Sequence, residues 1–138
     1  MKPLFCVAVV IWLIADPVSG QVPGCSVAQA AVADENIDKL RTWADLFVAF
    51  QRFHACDDGA IAEGWSDFIG RMLAKNWRAV GDLQRLVVKT QQFHRFVIRH
   101  IDETIPADHL RLIIVNARER CPRKVKALCK EIGDAARF

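Results

Sequence analysis

Asp34-Glu35-Asn36-Ile37-Asp38-Lys39-Leu40-Arg41-Thr42-Trp43-Ala44-Asp45-Leu46-Phe47-Val48-Ala49-Phe50-Gln51-Arg52-Phe53-His54 sets Ile37, Leu40, Ala44, Phe47 and Phe50 at spacings of three and four. That is the period of an α-helix, and nothing in the stretch alternates as a strand does. Trp43, Leu46, Val48 and Phe53 widen the apolar stripe beyond one ordinary face. A helix apolar over most of its circumference either lies at the centre of a bundle or lends its extra face to a partner. The central position is expected here.

Outward toward the C-terminus the same period returns. Asp57-Asp58-Gly59 reads as a turn and helix N-cap, because a carboxylate accepts the unpaired amide protons of a first helical turn. A helix is expected over 60–75 with Ile61, Trp65, Phe68, Ile69, Met72 and Leu73 inward, closed by Trp77. A short helix over 79–89 follows, and Thr90 caps the next, which carries Phe93, Phe96, Val97 and Ile101. Ile105-Pro106 breaks the pattern, and proline suits the first turn of a new helix running to Arg120. Pro122 opens the last helix, with Val125, Leu128 and Ile132 inward and Gly133 as its stop. The expected fold is all-α: a compact, disulfide-stabilised bundle of about six mostly short helices, forming a single domain over residues 34–138.

Toward the N-terminus, residues 21–33 read as an extended or weakly helical lead-in. Ahead of them, Lys2 precedes an apolar run from Leu4 to Ala15, broken by Asp16-Pro17 and followed by Val18-Ser19-Gly20. This is the pattern of a cleavable secretory signal over residues 1–20. The apolar run is also too short to span a bilayer, so no transmembrane segment is expected in the mature chain. The protein is expected in the periplasm or outside the cell.

Export changes the meaning of the cysteines. Cys6 leaves with the signal, and Cys25, Cys56, Cys121 and Cys129 remain. An even number in an exported chain favours two disulfides. Three pairings exist; Cys56–Cys121 with Cys25–Cys129 is preferred, because Cys56 and Cys121 both read as helix-boundary residues. The rival bridge between Cys121 and Cys129 would tie down only local structure. Val22-Pro23-Gly24-Cys25 also ends like a lipidation box, but its proline and its distance from the apolar run argue against lipidation of Cys25.

Charge divides along the chain: residues 21–70 carry a net −5 and residues 71–138 a net +8. Mutual attraction of the two halves is the simplest use of that division. Export excludes nucleic acid as the natural partner.

No motif names a reaction. Gly64-Trp65-Ser66-Asp67-Phe68 lacks the glycine two residues after serine that a hydrolase elbow requires, and its context is helical. His100, Glu103 and His109 are the weak candidates for a metal site, but no HExxH or paired CxxC pattern supports them. No catalytic residue, metal or cofactor is therefore assigned. Two surfaces remain as candidates for partner binding. One is the acidic cluster Asp57, Asp58, Glu63 and Asp67, in which Glu63 and Asp67 are helical neighbours. The other is the basic stretch Arg118, Arg120, Arg123 and Lys124, continued by Lys126 and Lys130.

The strings Cys56-Asp57-Asp58-Gly59-Ala60-Ile61-Ala62-Glu63-Gly64, His100-Ile101-Asp102 and Asn116-Ala117-Arg118-Glu119-Arg120-Cys121-Pro122 resemble segments of small exported helical proteins of Gram-negative bacteria. That resemblance implies no catalytic residue. In size, export and helicity the chain is also similar to the immunity proteins that protect bacteria from periplasmic toxins. Export, cysteines, the aromatic surplus between Trp43 and Phe53, and the lack of an active-site pattern together give the expectation. It is a non-enzymatic protein that binds another protein in the cell envelope, as an inhibitor or toxin-immunity factor. A small metal- or ligand-binding protein is the alternative.

Overall fold

The computed structural model describes residues 24–138; the expected signal and residues 21–23 of the lead-in lie outside them. The described chain forms seven helices: α1 (Val27–Ile37), α2 (Trp43–Phe53), α3 (Gly59–Lys75), α4 (Val80–Val87), α5 (Gln91–Arg99), α6 (Ala107–Glu119) and α7 (Lys126–Ala135). Short 3-10 turns at His54–Cys56, Trp77–Ala79 and Arg123–Val125 connect them. Among the described residues there is no strand, and no helix is long and apolar enough to cross a membrane. The all-α expectation holds, with one helix more than expected.

The extra helix corrects the reading of residues 21–54. The lead-in is helical from Val27, because Ser26 and Gln29 form a capping box: each side chain binds the other's backbone amide. The single helix expected from Asp34 to His54 is two. Thr42 and Asp45 make a second capping box, and Asp45 also accepts from the Arg41 amide, so a new helix begins at Trp43. The restart rotates the apolar face: Trp43, Leu46, Phe50 and Phe53 are buried, whereas Ala44 and Val48 are exposed.

α2 is therefore central, as expected. Trp43 meets Phe68 edge to face, and Phe50 lies 5.2 Å from Phe93 and 4.9 Å from Phe96. Phe47, half-buried, packs edge to face on Phe93 at 4.9 Å. Trp43, Phe50 and Phe53 are thus core, and Phe47 packs against it from the edge.

α3 is the axis of the fold. Gly64 lets Ile37 of α1 approach, and Gly70 lets Ile105 approach; a Cβ at either position would lie 2.9 Å from the isoleucine. Asp102 touches Ser66, Ile105 touches Gly70, Asn116 touches Leu73 and Ala74, and Arg120 touches Trp77. The chain from 102 to 120 thus runs alongside α3 in the same direction. Asn116 is buried because it completes α3: its amide group donates to the carbonyls of Leu73 and Ala74, in the last turn where no helical amide remains to do so.

The disulfides are Cys25–Cys56 and Cys121–Cys129, which corrects the preferred pairing of Cys56 with Cys121 and Cys25 with Cys129. The reason is positional. Cys56 precedes the N-terminus of α3, and Cys121 adjoins Trp77 at its C-terminus. A helix of this length holds those ends roughly 25 Å apart. The last helix differs too. It begins at Lys126, after the 3-10 turn next to Pro122, and Gly133 lies inside it, where a Cβ would come within 3.2 Å of Ala117.

Candidate functional site

Where α5 ends beside the first half of α3, four polar side chains from separate segments meet. Ser66 lies on the buried face of α3, in line with Ile69 and Leu73. His100 ends α5, in line with Phe93, Phe96 and Val97, and its ring packs 4.5 Å from that of Phe96. Asp102 lies in the next turn, fixed by hydrogen bonds from the amide and hydroxyl of Thr104. Asp57 lies between Cys56, fastened to Cys25, and Asp58, the N-cap of α3.

Ser66 Oγ is 2.8 Å from Asp102 Oδ2 and 2.9 Å from His100 Nδ1. On the other side of the ring, His100 Nε2 is 3.0 Å from Asp57 Oδ1, an approach not aligned as a hydrogen bond. The second oxygen of Asp57 pairs with Arg99. The relay Asp102–Ser66–His100–Asp57 borders a cavity of about 510 Å³, whose rim includes Glu63, His54 and Thr104.

Proton counting defines the chemistry of this relay. It contains three contacts, but a neutral imidazole and a serine hydroxyl bring only two protons. If Ser66 donates to Asp102, His100 must donate from Nδ1, and a bare Nε2 then faces a carboxylate. If His100 is protonated on Nε2, the single hydroxyl proton of Ser66 faces two acceptors. An imidazolium would satisfy both contacts of Ser66 and attract Asp57 by charge, yet burial disfavours that charge. Burial lowers the His100 pKa below the usual 6.5, and attraction to Asp57 offsets only part of that effect. For Asp102, burial acts to raise the pKa, but hydrogen bonds from Thr104 and Ser66 outweigh it and hold the carboxyl below 3.8.

The serine–histidine–aspartate order is that of a hydrolase triad, but the construction is not. Ser66 is 1% exposed, and its hydroxyl is shared with Asp102. It lies in mid-helix, where neighbouring amides are committed to helical hydrogen bonds and cannot form an oxyanion hole. The ring also presents Nδ1 to the serine, whereas the triad template uses Nε2.

The acidic cluster divides. Asp57 and Glu63 border the cavity, Asp58 caps α3 in the open, and Asp67 turns to Arg71. Of the three weak metal candidates, only His100 belongs to the relay. Glu103 is exposed, and His109 is buried on α6 with Nδ1 unpartnered. Among the described residues no three His, Cys, Asp or Glu side chains are grouped to hold a metal. In the basic stretch, Arg118 pairs with Glu119 and Arg120 donates to Asn116, while Arg123 and Lys124 are exposed with no ion pair among the described residues.

Sequence reading missed Ser66, Asp102 and Thr104 as members of one site. The usable signal was a polar residue inside an apolar stripe, at Ser66 and again at His100, since buried polar groups need partners. No family model, curated protein or solved structure matches the chain.

Proposed function

We propose that this protein is a non-enzymatic binding domain of the cell envelope, and that it receives a basic segment of another protein at the Asp57–Glu63–Asp102 cavity. The carrying observation is the imbalance of charge around that cavity. Asp57 has Arg99 as its counter-ion, whereas Glu63 and Asp102, also on the cavity, have no Lys or Arg partner among the described residues. A lysine or arginine from a partner would supply the missing cation and donate to Glu63 and to Asp102, the latter already held by Ser66 and Thr104. The buried, twice-bonded Ser66 and the committed amides around it support the non-enzymatic part of the reading. The two disulfides are compatible with an oxidising compartment. An inhibitor or immunity factor would use such a site to occupy a basic surface of its target.

The test is affinity capture from native envelope extract with wild-type protein and Glu63→Lys. One stoichiometric partner lost on charge reversal is expected. A fluorophosphonate probe should leave Ser66 unlabelled; labelling that disappears in Ser66→Ala would overturn the non-enzymatic reading, and capture indifferent to Glu63→Lys would overturn the assignment of the surface.

A further inference from the structure

At the far end of α3 the charge has the opposite sign. Lys75 ends the helix, Arg78 follows Trp77, Arg118 and Arg120 end α6, and Arg123 and Lys124 form the next turn. All six are exposed. The Trp77 Nε1–Arg120 carbonyl hydrogen bond of 3.0 Å and the Asn116 contacts to Leu73 and Ala74 bring these three segments to one place.

Helix ends do account for some basic side chains, since each C-terminus carries about half a negative charge. Two such ends, α3 and α6, offset about one of the six cations. Glu119 offsets a second through Arg118. The remainder have no ion pair among the described residues. The excess is larger than helix capping explains.

We infer that this basic end docks on an anionic lipid surface. The cations come from three separate segments, which suits a plane of headgroups better than one phosphate. The buried polar groups beneath them are already engaged: Trp77 donates to Arg120, and Asn116 bonds Leu73, Ala74 and Arg120. None is left to line a discrete anion pocket. The exposed large apolar side chains (Val27, Val32, Val48, Val88, Leu112 and Phe138) all lie outside residues 75–78 and 118–126. Attachment is therefore electrostatic, without insertion, and reversed by salt. It does not depend on the acidic cavity, which lies at the other end of α3.

The experiment is co-sedimentation of the full chain with vesicles of phosphatidylglycerol and phosphatidylcholine, and with phosphatidylcholine alone, at low ionic strength. Binding to the anionic vesicles only, abolished by raised salt, is expected. In Arg123→Gln/Lys124→Gln the partition coefficient should fall about fivefold for each charge removed. Lys39→Gln/Arg95→Gln, which removes the same charge elsewhere, should bind as the wild type; circular dichroism checks that both variants are folded. Equal binding to neutral vesicles, no binding to either, or an equal loss in the control variant would overturn the inference. So would polyglutamate that competes charge for charge as well as the vesicles do, which would assign the surface to an acidic protein instead.

Discussion

His100 couples the acidic cavity to pH. Burial holds its pKa below the ordinary 6.5, with Asp57 opposing, so the unfolded chain takes up this proton first as pH falls. The stabilisation is complete above about 6.5, declines below it, and is gone once pH has passed the folded value. Asp102 continues the trend in a lower window, because its hydrogen-bonded carboxylate has a pKa below 3.8 and loses its contribution as pH falls through the folded value. The melting temperature should thus drop in two stages between pH 8 and 3. His100→Gln should flatten the first stage and keep the second; an unchanged first stage would assign it to another group. The polar identity of this site was half visible in the sequence, through Ser66 and His100 on apolar stripes. Its membership was not, because Ser66 and Asp102 are 36 positions apart and only the docking of α6 beside α3 joins them.

At the scale of the elements, close approach governs packing. Gly70→Ala places a methyl 2.9 Å from Ile105, a buried, β-branched side chain that cannot easily turn aside. The expected cost is about 1–3 kcal/mol, read by urea denaturation. Gly64→Ala meets Ile37 at the same distance, but Ile37 is only half-buried and can yield, so its cost should be smaller. Equal costs would show that the two contacts are equally rigid. The helices from α3 to α6 were legible because their stripes are regular and their caps stand at Asp58, Thr90 and Pro106. The break between α1 and α2 was masked by the continuous apolar spacing from Ile37 to Phe50. The capping boxes Ser26–Gln29 and Thr42–Asp45 were the better signal, since a capping box marks a helix start whatever the apolar spacing on either side of it.

Across the whole molecule, charge and covalent linkage are laid out on different plans. Among the described residues the sequence halves of opposite charge pair directly only through Asp57 with Arg99, and Asp67 with the adjacent Arg71. Two groups unpaired among those residues stand at opposite ends of α3, Asp58 and Glu63 at its N-terminus and Lys75, Arg78, Arg123 and Lys124 at its C-terminus. The order of charges along the sequence reveals that division, which the total of +3 hides, while its arrangement needs the fold. The even cysteine count was likewise legible and the pairing was not, because the length of α3 decides which thiols can meet. Cys25–Cys56 spans 31 residues and Cys121–Cys129 spans eight. On the chain-entropy model they contribute about 3.7 and about 2.5 kcal/mol. Cys25→Ser/Cys56→Ser should therefore lower the melting temperature more than Cys121→Ser/Cys129→Ser, and the reverse order would show that native-state contacts outweigh loop entropy.

Each bridge also closes within its own end of the chain, and none crosses the interval from Cys56 to Cys121. One peptide bond cut in the exposed Val88–Lys89 turn between α4 and α5 would leave two chains with no covalent tie, each keeping its own disulfide. The buried aromatic cluster, with Phe50 on one chain and Phe93 and Phe96 on the other, would hold them together along with the contacts of α6 on α3. The fold thus contains a ready division into two complementing fragments, whose reunion would report on non-covalent contacts with no disulfide to assist them.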